Sequence, residues 1–179
     1  MPQASMVANE IPAQPALFCP TVSVIVPIYN GAADLPGLID CLLGQRYPKE
    51  RVEYLLVDNG SRDRTPDILK DAVTQAQAAG LTLKHLSETE IQSAYAARNT
   101  GIRTATGEIF AFTDADCYPA STWLENLVQG FQDSAVGLCV GEITALPGST
   151  WLERYAERKN IMSQQDTLNH PFCPYGQTA

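Results

Sequence analysis

Short apolar runs alternate with longer stretches of helical period along most of this chain. "VSVIVP" (22–27) is β-branched and apolar throughout, which suits a strand buried on both faces. Leu35, Leu38, Ile39, Leu42 and Leu43 then fall at i, i+3, i+4, i+7 and i+8, one face of a helix. Asp34 is expected to cap that helix, with Pro36 in its first turn. The unit repeats. "VEYLLVD" (52–58) predicts a second strand, and Thr65-Pro66 opens a helix over about 66–79 that Gly80 ends. "LTLKHL" (81–86) predicts a third strand, Ala94 to Ala105 a small-residue helix, and "EIFAFT" (108–113) a fourth strand. "PASTWLENLVQGF" predicts a helix with Leu124, Leu127, Val128 and Phe131 on one face, "VGLCVGEITAL" (136–146) another strand, and "TWLERYAERKNIM" another helix.

Strands alternating with helices of this length form βαβ units, hence an α/β fold with a mostly parallel sheet covered by helices on both faces. Such sheets bind ligands beyond the carboxyl ends of their strands. The residues just after the strands therefore hold the candidate chemistry: Pro27-Ile-Tyr-Asn30, Asp58-Asn-Gly-Ser61 and Asp114-Ala-Asp116.

Asp114 and Asp116 stand two apart in an extended stretch, so both side chains can address one ligand. Paired hard oxygen donors suit Mg²⁺ or Mn²⁺, which bind through one or two carboxylates plus substrate phosphates. One of the two can instead accept from a ribose, and either can simply begin a turn. Asp58 can meet a ribose or base edge, or cap the "NGSRDRT" turn. Tyr29 can stack on a base or sit half-buried with a satisfied hydroxyl. Arg98 can reach a phosphate or base, or pair with a surface acid. His85, inside a strand, reads as structural; His170 lacks partners; Trp123 and Trp151 read as packing on helix faces.

Charge and composition narrow the field. A formal net charge of -8 argues against nucleic acid as a partner, while a bound metal can offset the charge of one nucleotide. The five cysteines (19, 41, 117, 139 and 173) show no C-x-x-C spacing and are odd in number, so they read as reduced thiols of a cytoplasmic protein. Residues 1–20 hold four prolines and no Lys or Arg, unlike a signal peptide, and are expected to be a loose lead-in. No run approaches the ~18 apolar residues of a membrane span; peripheral contact with the cytoplasmic face of a membrane stays open. There is no G-x-G-x-x-G after the first strand, no P-loop and no G-x-S-x-G elbow.

The blocks "VSVIVPIYNGAADLPGLIDCLLGQ", "VEYLLVDNGSRDRTPDIL", "AARNTGIRTATGEIFAFTDAD" and "YPASTWLENLV", in this order and spacing, resemble glycosyltransferase family 2 over residues 21–147. The resemblance implies the Rossmann-like GT-A fold and an inverting transfer of a sugar from a nucleoside diphosphate, with UDP expected, to a hydroxyl of a saccharide or lipid-linked acceptor. It implies that Pro27, Tyr29 and Asp58 line the base and ribose pocket, that Arg98 lies beside it, and that Asp114 and Asp116 form the family's D-x-D motif. In that motif Asp114 is directed to the ribose and Asp116 to Mn²⁺ or Mg²⁺. The family's general base lies in an acidic motif C-terminal to D-x-D. Neither Glu142 nor Asp166 stands in such a motif, so the base is expected beyond Ala179. Residues 148–179 then read as the start of an acceptor-side half, and these 179 residues are expected to bind donor without transferring it. Two other readings fit part of the pattern. A sugar-nucleotide nucleotidyltransferase calls for a basic Gly-rich loop after the first strand, and "PIYNGA" has one Gly and no basic residue. A module that binds a nucleotide sugar without transfer differs only in lacking the base and acceptor segment.

Overall fold

The computed structural model describes residues 18–148 and 150–159. The expected alternation is present through residue 129. Four strands, β1 (Val22–Ile28), β2 (Val52–Asp58), β3 (Thr82–Ser87) and β4 (Ile109–Phe112), form one sheet in the order β3-β2-β1-β4. Every neighbouring pair is parallel, with Val24 opposite both Tyr54 and Ala111, and Tyr54 opposite Leu83. The connections run through α1 (Leu35–Leu43), α2 (Thr65–Ala78) and α3 (Ala94–Thr104). Beyond β4 come α4 (Trp123–Gln129), which runs into a 3-10 turn at Gly130–Gln132, and α5 (Trp151–Lys159).

The period-two alternation of the strands divides the core into two layers. Val22, Val24, Val26, Ile28, Tyr54 and Leu56 face Leu35, Leu38, Ile39 and Leu42 of α1, Leu69, Ala72 and Ala76 of α2, and Leu124 and Val128 of α4. Ile25 faces the opposite way, against α3, so tightly that a Cβ on Gly101 would clash with Ile25 Cγ2. Each fully buried aliphatic side chain contributes roughly 1.5–3 kcal/mol. Strand order reverses at β1: α1 leads to β2 on one side, and α3 carries the chain back across the other face to β4. The carboxyl ends of β1 and β4 therefore diverge from one another at the edge where α/β sheets bind ligands.

Glu53 locks the opposite edge. Its Oε1 accepts from Ser23 Oγ (2.7 Å), Thr106 N (2.7 Å) and Thr106 Oγ1 (2.8 Å), and its Oε2 from Lys84 Nζ (2.9 Å). Ser23 Oγ in turn accepts from Gly107 N at 2.8 Å. Burial alone would raise this carboxyl, but the bonds from Lys84, Ser23 and Thr106 outweigh it and hold it at about 2. Thr106 and Gly107 lead directly into β4, so the network fixes where that short edge strand enters the sheet.

Four expectations need correction. Residues 136–146 form no strand: Leu138 is 65% exposed, and none of the four strands forms a ladder with this run. β propensity is realised only against a partner strand, and Gly137 and Gly141 weaken this one. Asp34 makes no side-chain cap. The turn into α1 is made by backbone, with Asp34 N and Leu35 N both donating to the Gly31 carbonyl. Trp151 is 72% exposed and packs on nothing that would make it a core residue, whereas Trp123 does pack against the core. The packed unit also reaches back to residue 20: Pro20 is buried and its carbonyl accepts from Tyr47 Oη at 2.5 Å. Residues 1–17 of the lead-in, along with Asp166, His170 and Cys173, lie outside the described residues. Cys19, Cys41, Cys117 and Cys139 are free thiols. Among the described residues no helix is long and apolar enough to cross a membrane.

Candidate functional site

Four parallel strands release their chains at the same edge, and hydrogen bonds join the loops there. After β1, Asn30 has a left-handed backbone (φ 51), a conformation Asn tolerates better than most residues. Its N–H donates to Ser61 Oγ, and its Oδ1 accepts from Arg62 N, both at 2.8 Å. Gly31 N donates to Thr65 Oγ1 (2.9 Å), and Ala32 N donates to Asp63 Oδ2 (3.1 Å). The bonds Asp63 accepts, the Thr65 hydroxyl foremost, hold its carboxyl below the usual range. The loops after β1 and β2 are therefore one rigid surface.

Asp58 ends β2 and is only 6% exposed. Its Oδ1 accepts from Ser61 N at 3.0 Å, closing a turn that needs the left-handed Gly60 (φ 77). Oδ2 takes no bond from any described residue, so the capping role uses one oxygen and leaves the other for a ligand. Next to it Pro27, Ile28, Tyr29, Asn59 and Ala94 line a shallow hollow of about 70 Å³. Tyr29 is 49% exposed, a ring available for stacking rather than a core tyrosine. Asn59 is committed to the framework: its Nδ2 donates to the carbonyls of Glu88 (3.0 Å) and Ile91 (2.9 Å).

α3 starts beside this hollow, capped by Ser93, whose Oγ accepts from Ala96 N at 3.2 Å. One turn later Arg98 Nη2 donates to Asp114 Oδ1 at 2.5 Å, so the arginine pairs with an acid of the D-A-D motif. The segment 114–117 is a turn and not the extended stretch expected, with Cys117 N donating to the Asp114 carbonyl at 3.1 Å, so strand alternation does not set the directions of Asp114 and Asp116. A glycine lets the segment lie against the first helix: a Cβ on Gly37 would run into the Tyr118 ring at Cε1. Lower down, Gln45 holds the same segment, with Nε2 donating to the Ala120 carbonyl (2.8 Å) and Oε1 accepting from Leu124 N (3.3 Å). Asp116 projects from the top of this segment and is exposed, with the Cys117 thiol 3.9 Å from its Oδ1. Burial pushes that thiol up, so it stays protonated beside the two acids.

Among the described residues no group of three or more His, Cys, Asp and Glu could enclose a metal ion. The donor set does fit an ion that brings its own ligands. Asp116 offers an accessible carboxylate, and Asp114 keeps Oδ2 after pairing with Arg98. Mg²⁺ and Mn²⁺ at diphosphate sites use this pattern of one or two carboxylates, with phosphate oxygens and water completing the shell.

A model of glycosyl transferase family 2 matches residues 23–177. The chain belongs to this family. Glycosyltransferase AglE of Haloferax volcanii is 41% identical over 148 residues, which are 82% of this chain and 47% of AglE. Among solved structures, the mannosyltransferase PcManGT of Pyrobaculum calidifontis, in complex with GDP-Man and Mn²⁺, superposes with a TM-score of 0.62 at 38% identity, covering 67% of this chain and 34% of that one. TarS 1–349 of S. aureus, in complex with UDP-GlcNAc, gives a TM-score of 0.54 at 26% identity over 72% of this chain and 41% of that one. The chain thus spans half or less of the length of these relatives. Its sheet and flanking helices are the GT-A fold of the family.

The structure brings Pro27, Tyr29, Asp58, Arg98, Asp114 and Asp116 to one edge of the family 2 sheet. His85 lies half-buried in β3, near enough to Asp58 to feel its charge. Burial lowers its affinity for a proton against the opposing pull of Asp58, and its Nε2 finds no partner among the described residues. Asn59 belongs to the Asp58-Asn-Gly-Ser61 cluster and Ala94 to a predicted helix start, yet the sequence assigns neither a role of its own; Glu88 carries no local signal there, although applying the strand-end rule to β3 as well reaches it.

Proposed function

We propose that this edge binds a nucleoside diphosphate sugar and that the chain forms the donor-binding unit of an inverting glycosyltransferase. The observation that carries the reading is the convergence, in one hydrogen-bonded frame, of a shallow hollow, an acid with a free oxygen at its rim, and a D-A-D turn anchored by an arginine. The base lies in the hollow against Tyr29, and Asp58 Oδ2 accepts from a ring N–H or a ribose hydroxyl. Asp114 Oδ2 accepts from the ribose, while Arg98 holds its other oxygen. Asp116 turns its carboxylate to the diphosphate and holds a divalent ion there. When bound, Mn²⁺ or Mg²⁺ supplies Lewis-acid neutralisation of the departing diphosphate. A general base takes the proton of the acceptor hydroxyl as its oxygen attacks the anomeric carbon from the side opposite the leaving group; the new oxygen–carbon bond forms as the bond from carbon to phosphate oxygen breaks, which inverts the centre.

The donors printed for the solved neighbours, GDP-Man and UDP-GlcNAc, support a nucleoside diphosphate and make UDP and GDP the pair to compare. The test is calorimetric titration with UDP, GDP and UMP, each with Mn²⁺ and with chelator. With Mn²⁺ a diphosphate should bind at least about tenfold more tightly than the monophosphate, and in chelator that preference should disappear, because the second phosphate is what the ion and Asp116 engage together. Equal affinities for UDP and UMP would contradict the reading. With radiolabelled nucleotide sugar and saccharide or lipid-linked acceptors, any product that persists undiminished in chelator would contradict the metal assignment.

A further inference from the structure

Glu88 follows β3 directly and joins more of the site frame than any residue named so far. Its N–H donates to the Asp58 carbonyl at 2.9 Å, extending the β2–β3 ladder by one bond past the strand. Its own carbonyl accepts from Asn59 Nδ2 at 3.0 Å. Carboxylate Oε1 accepts from Glu90 N (2.9 Å) and Ile91 N (3.2 Å), which folds the loop before α3. Oε2 accepts from Thr100 Oγ1 at 2.8 Å, and Arg103 Nη2 lies 3.9 Å away while donating to that same hydroxyl at 2.8 Å. The Glu88 carboxylate thus grips the loop and the second turn of α3, while its backbone N–H and carbonyl tie it to the end of β2.

We propose that Glu88 is a positioning residue for the nucleotide pocket, setting α3 against the end of β2 so that Ala94 and Arg98 stand correctly opposite Asp58. This rests on the function proposed above. α3 carries Ala94 at the hollow and Arg98 at Asp114, so sliding the helix along its axis moves both together. Glu88 holds the helix at Thr100, two residues beyond Arg98, and holds β2 at Asp58 and Asn59. A carboxylate suits the task because two oxygens serve two backbone donors and a hydroxyl at once, with Arg103 adding charge. Sites need such supporting groups because displacements near 1 Å already cost affinity and rate. A purely structural Glu88 would stabilise the loop without altering what the pocket binds, and the two roles separate experimentally.

The experiment measures UDP affinity with Mn²⁺ by calorimetry, with Tm measured alongside, for the wild type, Thr100→Val, Thr100→Ser, Glu88→Ala and Asp58→Ala. Thr100→Val keeps the side chain's shape and removes the donor from α3. It should weaken UDP binding about tenfold, short of the roughly 10²-fold that a 1 Å misplacement can cost. Thr100→Ser keeps the hydroxyl and should stay within about twofold of wild type, and Glu88→Ala should weaken binding at least as much as Thr100→Val. Lowered Tm in Thr100→Val and Glu88→Ala with UDP affinity within twofold of wild type would overturn the proposal. Asp58→Ala separates the two levels. If it binds UDP as wild type does, the pocket reading itself fails; if it loses UDP while Thr100→Val does not, only the role of Glu88 fails.

Discussion

Replacing Glu53 by glutamine should weaken the fold in a way that depends on pH. Burial works to raise this carboxyl, yet Lys84, Ser23 and Thr106 hold it at about 2, against 4.5 for an unhindered glutamate. At about 1.4 kcal/mol per pH unit, that difference is worth roughly 3 kcal/mol at neutral pH. The Lys84 ammonium is partly solvated, and screening trims the figure to about 2–3 kcal/mol. The sign follows from the depressed value. The contribution is complete above pH 4.5 and drains away as pH falls toward 2, where folded and unfolded chains are both protonated. The Glu53→Gln side chain would still offer one oxygen to Ser23 and Thr106, but no charge to Lys84 and nothing to titrate. Urea unfolding of both proteins at pH 7, 4.5 and 3 reads this out. The gap between them should be about 2–3 kcal/mol at pH 7 and should narrow by more than 1 kcal/mol by pH 3. A gap that is absent at pH 7, or constant down to pH 3, would refute the reasoning.

Two further substitutions probe packing. Gly37→Ala pushes a methyl against the Tyr118 ring, which is 41% exposed and can swing into solvent, so Tm should hardly change. Tyr118 lies two residues from Asp116, so the variant should lose part of the Mn²⁺-dependent gain in UDP affinity while its metal-free binding stays put; an unchanged Mn²⁺ dependence would contradict the link. Gly101→Ala drives a methyl into Ile25 in the buried core, where nothing can move aside cheaply. Overpacking of about 1–3 kcal/mol exceeds the helix-propensity gain of up to ~1 kcal/mol, so the melting temperature should drop by several degrees.

The sequence carried the architecture well because its signals there are local and repeated. The run at 22–27, the leucine face of α1 and the Thr65-Pro66 helix start each depend on a few neighbouring residues, and each element formed within two residues of expectation. The strand-end rule then pointed at Asp58 and the D-A-D turn. What escaped depends on partners far along the chain. "VGLCVGEITAL" has strand composition, yet among the described residues it joins neither open edge of the sheet, at β3 or at β4. Asp34 has capping chemistry, but a backbone turn at Gly31 already closes the helix entry. Trp151 sits at a helical position whose burial only a packing partner could decide. Glu88 and Glu53 look like ordinary surface acids in sequence. Their importance arises from Thr100 and from Ser23 and Thr106, which lie 12 to 53 residues away. Asp58 illustrates a false choice, since its two oxygens allow turn closure and ligand contact together.

The central claim is that the edge at the ends of β1, β2 and β4 binds a nucleoside diphosphate through a divalent ion on Asp116. Its most direct test is calorimetric titration of wild type and Asp116→Ala with UDP and GDP, in Mn²⁺ and in chelator. Because Asp116 is exposed and holds up no other element, the variant should fold as wild type does. The account predicts that Mn²⁺ strengthens nucleotide binding in wild type and that Asp116→Ala abolishes this gain while leaving the weaker metal-free binding intact. An Asp116→Ala chain that gains as much affinity from Mn²⁺ as wild type would contradict it.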